Sequence, residues 1–96
     1  MTRDDGMRPN MAFLLMAQYS GAAVIPLQFV VRDYFRHLTE AKLLQKILRG
    51  AIRLPIVRIE RSQKAARGVA LIDLADYLEK QRALAVKELE QLNEGC

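Results

Sequence analysis

The side chains best suited to bind a ligand in this 96-residue sequence include a group that recurs every three or four residues. Its members are Lys42, Gln45, Lys46 and Arg49. That spacing places all four on one face of a helix. Lysine and arginine bind phosphates or the acceptor edge of guanine, and glutamine pairs with adenine through two hydrogen bonds. We therefore predict that this face contacts DNA in the major groove.

A second group lies in a polar segment, residues 61–68, that carries three cations and no acidic residue. Its candidate DNA-binding side chains are Arg61, Gln63, Lys64 and Arg67. A cationic loop of this kind reaches the phosphate backbone or the minor groove. Simple solvation of surface charge is the alternative interpretation for both groups. It is weakened because both groups flank predicted elements in the order that a DNA-binding domain requires.

The sequence contains no constellation of residues that would support an enzyme. His37 is the only histidine, Ser20 and Ser62 lie in unrelated contexts, and no glycine-rich phosphate loop or metal-spaced pair of ligands occurs. The single cysteine, Cys96, is the last residue, which excludes an internal disulfide and a cysteine-rich metal site. We therefore predict a protein that is not an enzyme and needs no cofactor and no metal.

Charge is distributed unevenly along the chain. The formal net charge is +4. Residues 32–67 contain ten basic and three acidic residues, whereas the part beyond Gly68 contains three basic and six acidic ones. One end of the molecule is therefore basic and the other mildly acidic, and a polyanionic partner belongs to the basic part.

Length and composition indicate one small folded domain, because 51% of the residues are hydrophobic and 27% are charged. A chain of this size buries only about 60 to 65% of its unfolded surface, so we expect help from a partner subunit. The early apolar run at 11–17 is too short to span a bilayer, and Asp4 and Asp5 are unlike the positive start of a secretory signal. We expect a cytoplasmic protein with no membrane partner.

The first elements that position these groups lie between residues 12 and 35. We interpret 12–25 as a small hairpin, with a short helix at 12–18 as the alternative, because alanine, leucine and methionine also favour helices. Pro26 lies in the first turn of a helix. Arg32 and Asp33 fall off its apolar stripe and should be solvated. The stripe consists of Leu27, Val30, Val31, Tyr34 and Phe35.

A second helix follows after a short turn. Thr39 is predicted to cap it, and Leu38 and Leu43 are spaced as a hydrophobic staple. Gly50 is its natural C-terminal stop. The predicted inner stripe comprises Leu44, Ile47 and Leu48, with Leu43 at its edge.

The remaining elements are a hairpin and a helix. Residues 56–60 predict a strand with Val57 and Ile59 on one side, and 69–72 predict its partner. Asp73 should cap a last helix of nineteen or twenty residues, about 30 Å long. Apolar residues recur in it every seven positions, which predicts self-association. They are Leu71, Leu78, Ala85 and Leu92.

Two short helices, a hairpin with a cationic loop and a final helix follow one another in the order of a winged helix-turn-helix domain. We therefore predict a mainly α fold with a small β-hairpin, a winged helix-turn-helix with a long C-terminal helix. Residues 1–10 should be a flexible tail, 11–80 the DNA-binding domain, and 81–96 a C-terminal extension that is a candidate dimerisation segment.

Five stretches of this sequence resemble the pyocin activator protein family, over roughly residues 11–85. They are AFLLMAQY at 12–19, VIPL at 24–27, DYFRHLT at 33–39, LPIVRIERSQK at 54–64, and GV at 68–69 with DLADYL at 73–78. The resemblance implies a small transcription activator that binds short boxes upstream of bacteriocin or phage-tail genes. The family is also distantly similar to excisionases, which implies a winged helix-turn-helix of the excisionase or MerR-like type. The resemblance also implies that residues 54–64 belong to the DNA-binding unit and that Lys42, Lys46 and Arg49 lie on the recognition helix.

The leading hypothesis is thus a sequence-specific activator that binds double-stranded DNA as a homodimer, with RNA polymerase as a candidate second partner. A recombination directionality factor of the excisionase type is the first alternative, and it would bend DNA without contacting polymerase. A phage-encoded antagonist of a host protein, built on the same fold, is the second alternative.

Overall fold

The computed structural model describes residues 10–60 and 66–94. Within these ranges the chain is mainly helical, with a small three-stranded antiparallel sheet and a long C-terminal helix, which confirms the coarse fold class. The elements in chain order are α1 (Met11–Gln18), β1 (Val24–Pro26), α2 (Leu27–Tyr34), α3 (Glu40–Leu48), β2 (Val57–Arg58), β3 (Arg67–Ala70) and α4 (Leu71–Glu94).

The first element is a helix, so the hairpin interpretation of residues 12–25 is wrong and the alternative is correct. Asn10 caps α1, because its side chain accepts a hydrogen bond of 2.7 Å from the Phe13 N–H. The helix ends where Ser20 and Gly21 take positive φ angles of 56° and 76°. The apolar run itself suits either structure, and the cap and the left-handed turn select the helix. Residues 1–9 of the predicted tail lie outside the described residues.

The sheet has the order β1-β3-β2, so its central strand joins two strands that are distant in sequence. Ile25 lies opposite Val69 in one pair, and Val57 lies opposite Gly68 in the other. A side chain at Gly68 would meet the Ile25 carbonyl oxygen at 2.7 Å, which explains why glycine occupies the position. The close approach of β1 to β3 depends on this glycine.

The predicted boundaries of the hairpin differ from the structure at both ends. β2 covers only Val57–Arg58, so Ile59, predicted on the same side of the strand as Val57, lies beyond the strand and is exposed. β3 ends at Ala70, and α4 begins at Leu71, whose N–H donates to the Ala23 carbonyl. The predicted partner strand at 69–72 therefore begins and ends two residues too late.

Asp73 lies in the first turn of α4, and its prediction as the cap is wrong. A carboxylate there still interacts favourably with the positive end of the helix dipole. The helix contains 24 residues, more than the nineteen or twenty expected. Residues 81–94 of it are exposed throughout, so only its first part contributes to the core.

The core gathers buried apolar side chains from every element except β2. No polar or charged side chain is buried among the described residues. The core therefore acts as an apolar support that fixes α2 and α3 relative to the sheet. Its members are Leu15, Ile25, Leu27, Val30, Phe35, Leu43, Leu54, Val69, Leu71, Leu74 and Ala75.

Candidate nucleic-acid interface

The turn between α2 and α3 is short and held by local hydrogen bonds. The Phe35 N–H donates to the Val31 carbonyl at 3.0 Å, and the Leu38 N–H donates to the Phe35 carbonyl at 2.9 Å. The Thr39 hydroxyl then accepts from the Lys42 N–H at 3.1 Å, which confirms the predicted cap. Because Phe35 is buried, this turn is anchored to the core as well.

The rotation of α3 differs from the prediction. Leu43 is fully buried, at the centre of the inner face rather than at its edge, with Leu44 and Ile47 half-buried beside it. Leu48 was predicted to lie on the inner stripe and is instead 87% exposed. Leucines at 43, 44 and 48 offer two adjacent apolar faces, and packing against the core selects the one centred on Leu43.

The outward face of α3 carries the predicted polar group. All four members are exposed, and within residues 10–60 and 66–94 none of the three cations forms an ion pair. Their charged ends are thus available to a ligand. They are Lys42, Gln45, Lys46 and Arg49.

The end of α3 is defined by a Schellman motif. Gly50 takes a φ of +79°, its N–H donates to the Ile47 carbonyl at 3.0 Å, and the Ala51 N–H donates to the Lys46 carbonyl at 2.9 Å. Gly50 therefore acts as the predicted stop. Arg49 occupies the C-cap, where a cation interacts favourably with the helix dipole.

The base of the β2–β3 hairpin contributes a residue that sequence analysis did not assign to the site. Arg58 on β2 lies directly opposite Arg67 on β3. Like charges in this position destabilise a sheet unless an anion balances them. Arg67 also lines depressions against α3, one beside Glu40 and one beside Ile47. These shared depressions place the hairpin base beside α3.

Three predicted residues of the cationic loop, Arg61, Gln63 and Lys64, lie outside the described residues. Their assignment remains a prediction. Arg67 is the member of that group which the structure describes, and it is half-buried. The pairing of Arg58 with Arg67 could not be found from the sequence, because it depends on the register between β2 and β3.

A polar cluster outside this interface joins α1 to α2. The Tyr19 hydroxyl donates to Asp33 at 2.6 Å, and the Arg32 Nε donates to the same carboxylate at 2.7 Å. The Tyr34 hydroxyl donates to Gln18 at 2.7 Å. Asp33 was predicted to be solvated, but its side chain is only 18% exposed. The error arises because α1, which covers Asp33, was not expected to be a helix.

This cluster shifts the titration of its members. The hydrogen bonds from Arg32 and then Tyr19 lower the pKa of Asp33 to about 2. Burial, followed by the hydrogen bond to Asp33, raises the pKa of Tyr19 well above its usual range. Arg32 remains largely exposed, as predicted, and its guanidinium lies 4.7 Å from the centre of the Phe29 ring. Asp33 therefore remains ionised at neutral pH and stabilises the contact between the two helices.

In the described part of the chain, no three or more histidine, cysteine, aspartate or glutamate side chains come together in a way that could hold a metal ion. No helix within these same ranges has the length and apolar character needed to cross a membrane.

Comparison with known proteins gives one family. The model of the family described as pyocin activator protein PrtN matches residues 11–85. This match runs from the start of α1 into α4, and thus includes α2, α3 and the hairpin. No curated protein and no solved structure matches the chain significantly.

Proposed function

The chain belongs to the pyocin activator protein family, and from this premise we propose that it activates a bacteriocin or phage-type gene cluster by binding double-stranded DNA at a specific sequence. The family suggests a role in transcription activation. The proposed action is binding in the cytoplasm, without catalysis and without a cofactor.

The topology supports a winged helix-turn-helix for this role. The elements follow the order α1-β1-α2-α3-β2-β3-α4, and the sheet has the order β1-β3-β2. In this interpretation α2 and α3 are the helix-turn-helix, and α3 is the recognition helix that enters the major groove. The segment between β2 and β3 is the wing.

The observation that carries the proposal is the outward face of α3. It presents exposed cations and an amide at helical spacing, and they have no ion-pair partners in the described ranges. Gln45 has the donor and the acceptor needed to bind adenine, and Arg49 has the donors needed to bind guanine or phosphate. Lys42 and Lys46 can bind phosphates of the DNA backbone on either side of the major groove.

The hairpin base extends the same positive surface. Arg58 and Arg67 oppose each other across β2 and β3, and a phosphate group would balance both charges. We assign Arg61, Gln63 and Lys64 to the wing on the sequence pattern alone. Together these side chains would position the protein along the backbone, while α3 contacts the bases.

We further propose that the protein acts as a homodimer through the second half of α4. Residues 81–94 are exposed, and Ala85 of the predicted repeat and Leu89, four residues later, lie on one face of this segment. A dimer would present two copies of α3 to two half-sites, so the target should contain an inverted repeat. RNA polymerase is the proposed second partner of the DNA-bound protein.

Selection of duplexes from a random pool tests the proposal. The parent protein should enrich one sequence, and Gln45→Ala or Arg49→Ala should weaken binding to it by about 1 to 3 kcal/mol with little change on random DNA. Lys87→Ala, which removes an exposed cation from α4, is the matched control and should leave the preference intact. Enrichment of no sequence at moderate salt would contradict the proposal and favour the host-protein antagonist.

Transcription from a template with the enriched sequence upstream of a promoter separates the two DNA-binding hypotheses. Stimulation of purified RNA polymerase is the result expected for an activator. Strong bending of the DNA with no stimulation would instead identify a recombination directionality factor.

A further inference from the structure

Leu48 is the most exposed large apolar side chain in the described ranges, at 87%. It lies on α3, three residues after Gln45, so the two side chains are neighbours on one helix face. Ala41, four residues before Gln45, is exposed on the same face. One strip of the exposed surface of α3 thus consists of an amide flanked by two apolar side chains, and it runs beside the three cations.

The surroundings of this apolar strip are positively charged. Arg49 follows Leu48 directly, and Arg58 and Arg67 line a depression together with Leu48 and Ile47. Only Glu40, at the start of α3, carries a negative charge on this helix. An apolar partner protein would have to be strongly acidic to bind here, whereas DNA supplies both the negative charge and an apolar group.

That apolar group is the thymine C5-methyl, the hydrophobic feature of the major-groove edge. We propose that Leu48, with Ala41, recognises thymine methyl groups next to an adenine bound by Gln45. The inference rests on the proposed DNA-binding function and adds to it the class of base pair that α3 selects.

The dimensions of helix and duplex agree with this assignment. Three residues of an α-helix advance about 4.5 Å, and successive base pairs are about 3.4 Å apart. Leu48 therefore lies one or two base pairs from the pair that Gln45 contacts. The helix ends at Leu48, with Arg49 as its C-cap and the Schellman motif at Gly50, so Leu48 lies in its last turn.

The experiment uses the duplex that the parent protein enriches from a random pool, prepared once with thymine and once with deoxyuracil in its place. Deoxyuracil keeps every hydrogen-bonding group and lacks only the methyl. Loss of one buried methyl should weaken binding about fourfold, because burial of one methylene or methyl group contributes about 0.8 kcal/mol. The enriched sequence itself should contain thymine beside adenine.

Leu48→Ala completes a double-mutant cycle with the methyl. It should weaken binding to the thymine duplex about fourfold or more and bind both duplexes alike, because the partner of the methyl is gone. Ile72→Ala, at a site that is 70% exposed on α4, is the matched control and should keep the full difference between duplexes. Both variants replace exposed side chains in helices, where alanine is well tolerated.

Four results would overturn the inference. If the parent enriches a sequence but binds the thymine and deoxyuracil duplexes equally, the inference fails and the proposed function stands. The same holds if Leu48→Ala weakens both duplexes alike while retaining their difference, or if it changes the oligomeric mass, since Leu48 would then contact protein. If no sequence is enriched, the proposed function fails and this inference falls with it.

Discussion

Asp33 is the residue on which the contact between α1 and α2 depends most directly. It accepts hydrogen bonds from Tyr19 on one side and Arg32 on the other, and it lies one helix before the proposed recognition helix. A weaker contact here would loosen the support of α2 and α3 without altering any proposed DNA contact. Stability and binding can therefore be separated at this position.

Asp33→Asn should make stability less sensitive to acid. The pKa of Asp33 is about 2 in the folded chain, against 3.8 as its ordinary value. Because the folded pKa is the lower one, the carboxylate stabilises the fold above about pH 4, and this contribution is lost as the pH falls toward 2. The variant should be less stable than the parent at pH 7, and the difference should shrink between pH 4 and 2.

Urea unfolding at several pH values measures this effect. Asp76→Asn is the control, because its ion pair with Lys80 is exposed and contributes little. Equal losses for the two variants at pH 7, or a difference between parent and Asp33→Asn that is as large at pH 2 as at pH 7, would show that Asp33 does not act as described.

Arg58→Ala should show whether Arg58 contacts DNA phosphates rather than base edges. Because Arg58 opposes Arg67, its removal relieves repulsion, and we expect no loss of stability greater than about 0.5 kcal/mol. Affinity should fall alike for the enriched and random duplexes, and the slope of log K against log salt should decrease by about 0.9. Titrations at several salt concentrations measure both. An unchanged slope would remove Arg58 from the interface.

At the scale of elements, the central strand β3 connects the two halves of the sheet. It pairs with β1 through Ile25 and Val69, and with β2 through Arg58 and Arg67. Gly68 lies in both ladders, opposite Pro26 and Val57. The position of the hairpin beside α3 therefore depends on how closely β1 approaches β3.

Gly68→Ala should destabilise the protein, although alanine normally stabilises a strand relative to glycine. Its Cβ would lie 2.7 Å from the Ile25 carbonyl oxygen and 2.7 Å from a methyl of Val24, so β1 must move away. A cost of about 1 to 3 kcal/mol is typical of such overpacking. Thermal unfolding followed by circular dichroism measures it, and a variant as stable as the parent would contradict the close approach.

At the scale of the whole molecule, the two halves of α4 lie in different environments. Leu71, Leu74 and Ala75 are buried in the core, whereas residues 81–94 are exposed. The predicted seven-residue repeat is therefore divided, since its first member, Leu71, packs within the chain. The proposed self-association therefore involves the second half of the helix.

Leu89→Lys should dissociate the proposed dimer and leave the domain folded. Leu89 is exposed, so the change should cost little stability, but a charge in an apolar helix interface should raise the dissociation constant at least tenfold. Gln91→Lys is the control, because position 91 lies on the opposite face of the helix from 89. Sedimentation velocity at micromolar concentration gives the masses. A parent protein that is monomeric, or a dimeric Leu89→Lys variant, would contradict the proposal.

The sequence by itself determined the local features of this protein. Thr39 caps the start of α3 and Gly50 terminates it, as predicted. Gln45 and its neighbours lie on an exposed face. The resemblance to the pyocin activator family was also evident in short stretches, and the family model confirms it over 11–85. These features depend on residues within about four positions of one another, where caps and helical periodicity act.

Only the tertiary structure decided which faces are buried and which residues meet. The choice of Leu43 over Leu48 as the inner residue of α3, the cover that Tyr19 gives Asp33, and the opposition of Arg58 and Arg67 all depend on packing between distant elements. The start of α4 at Leu71 likewise depends on a hydrogen bond to Ala23, 48 positions earlier in the numbering. Local patterns present several nearly equivalent apolar faces and strand registers, and the shared core selects among them because it must exclude water from all its elements at once.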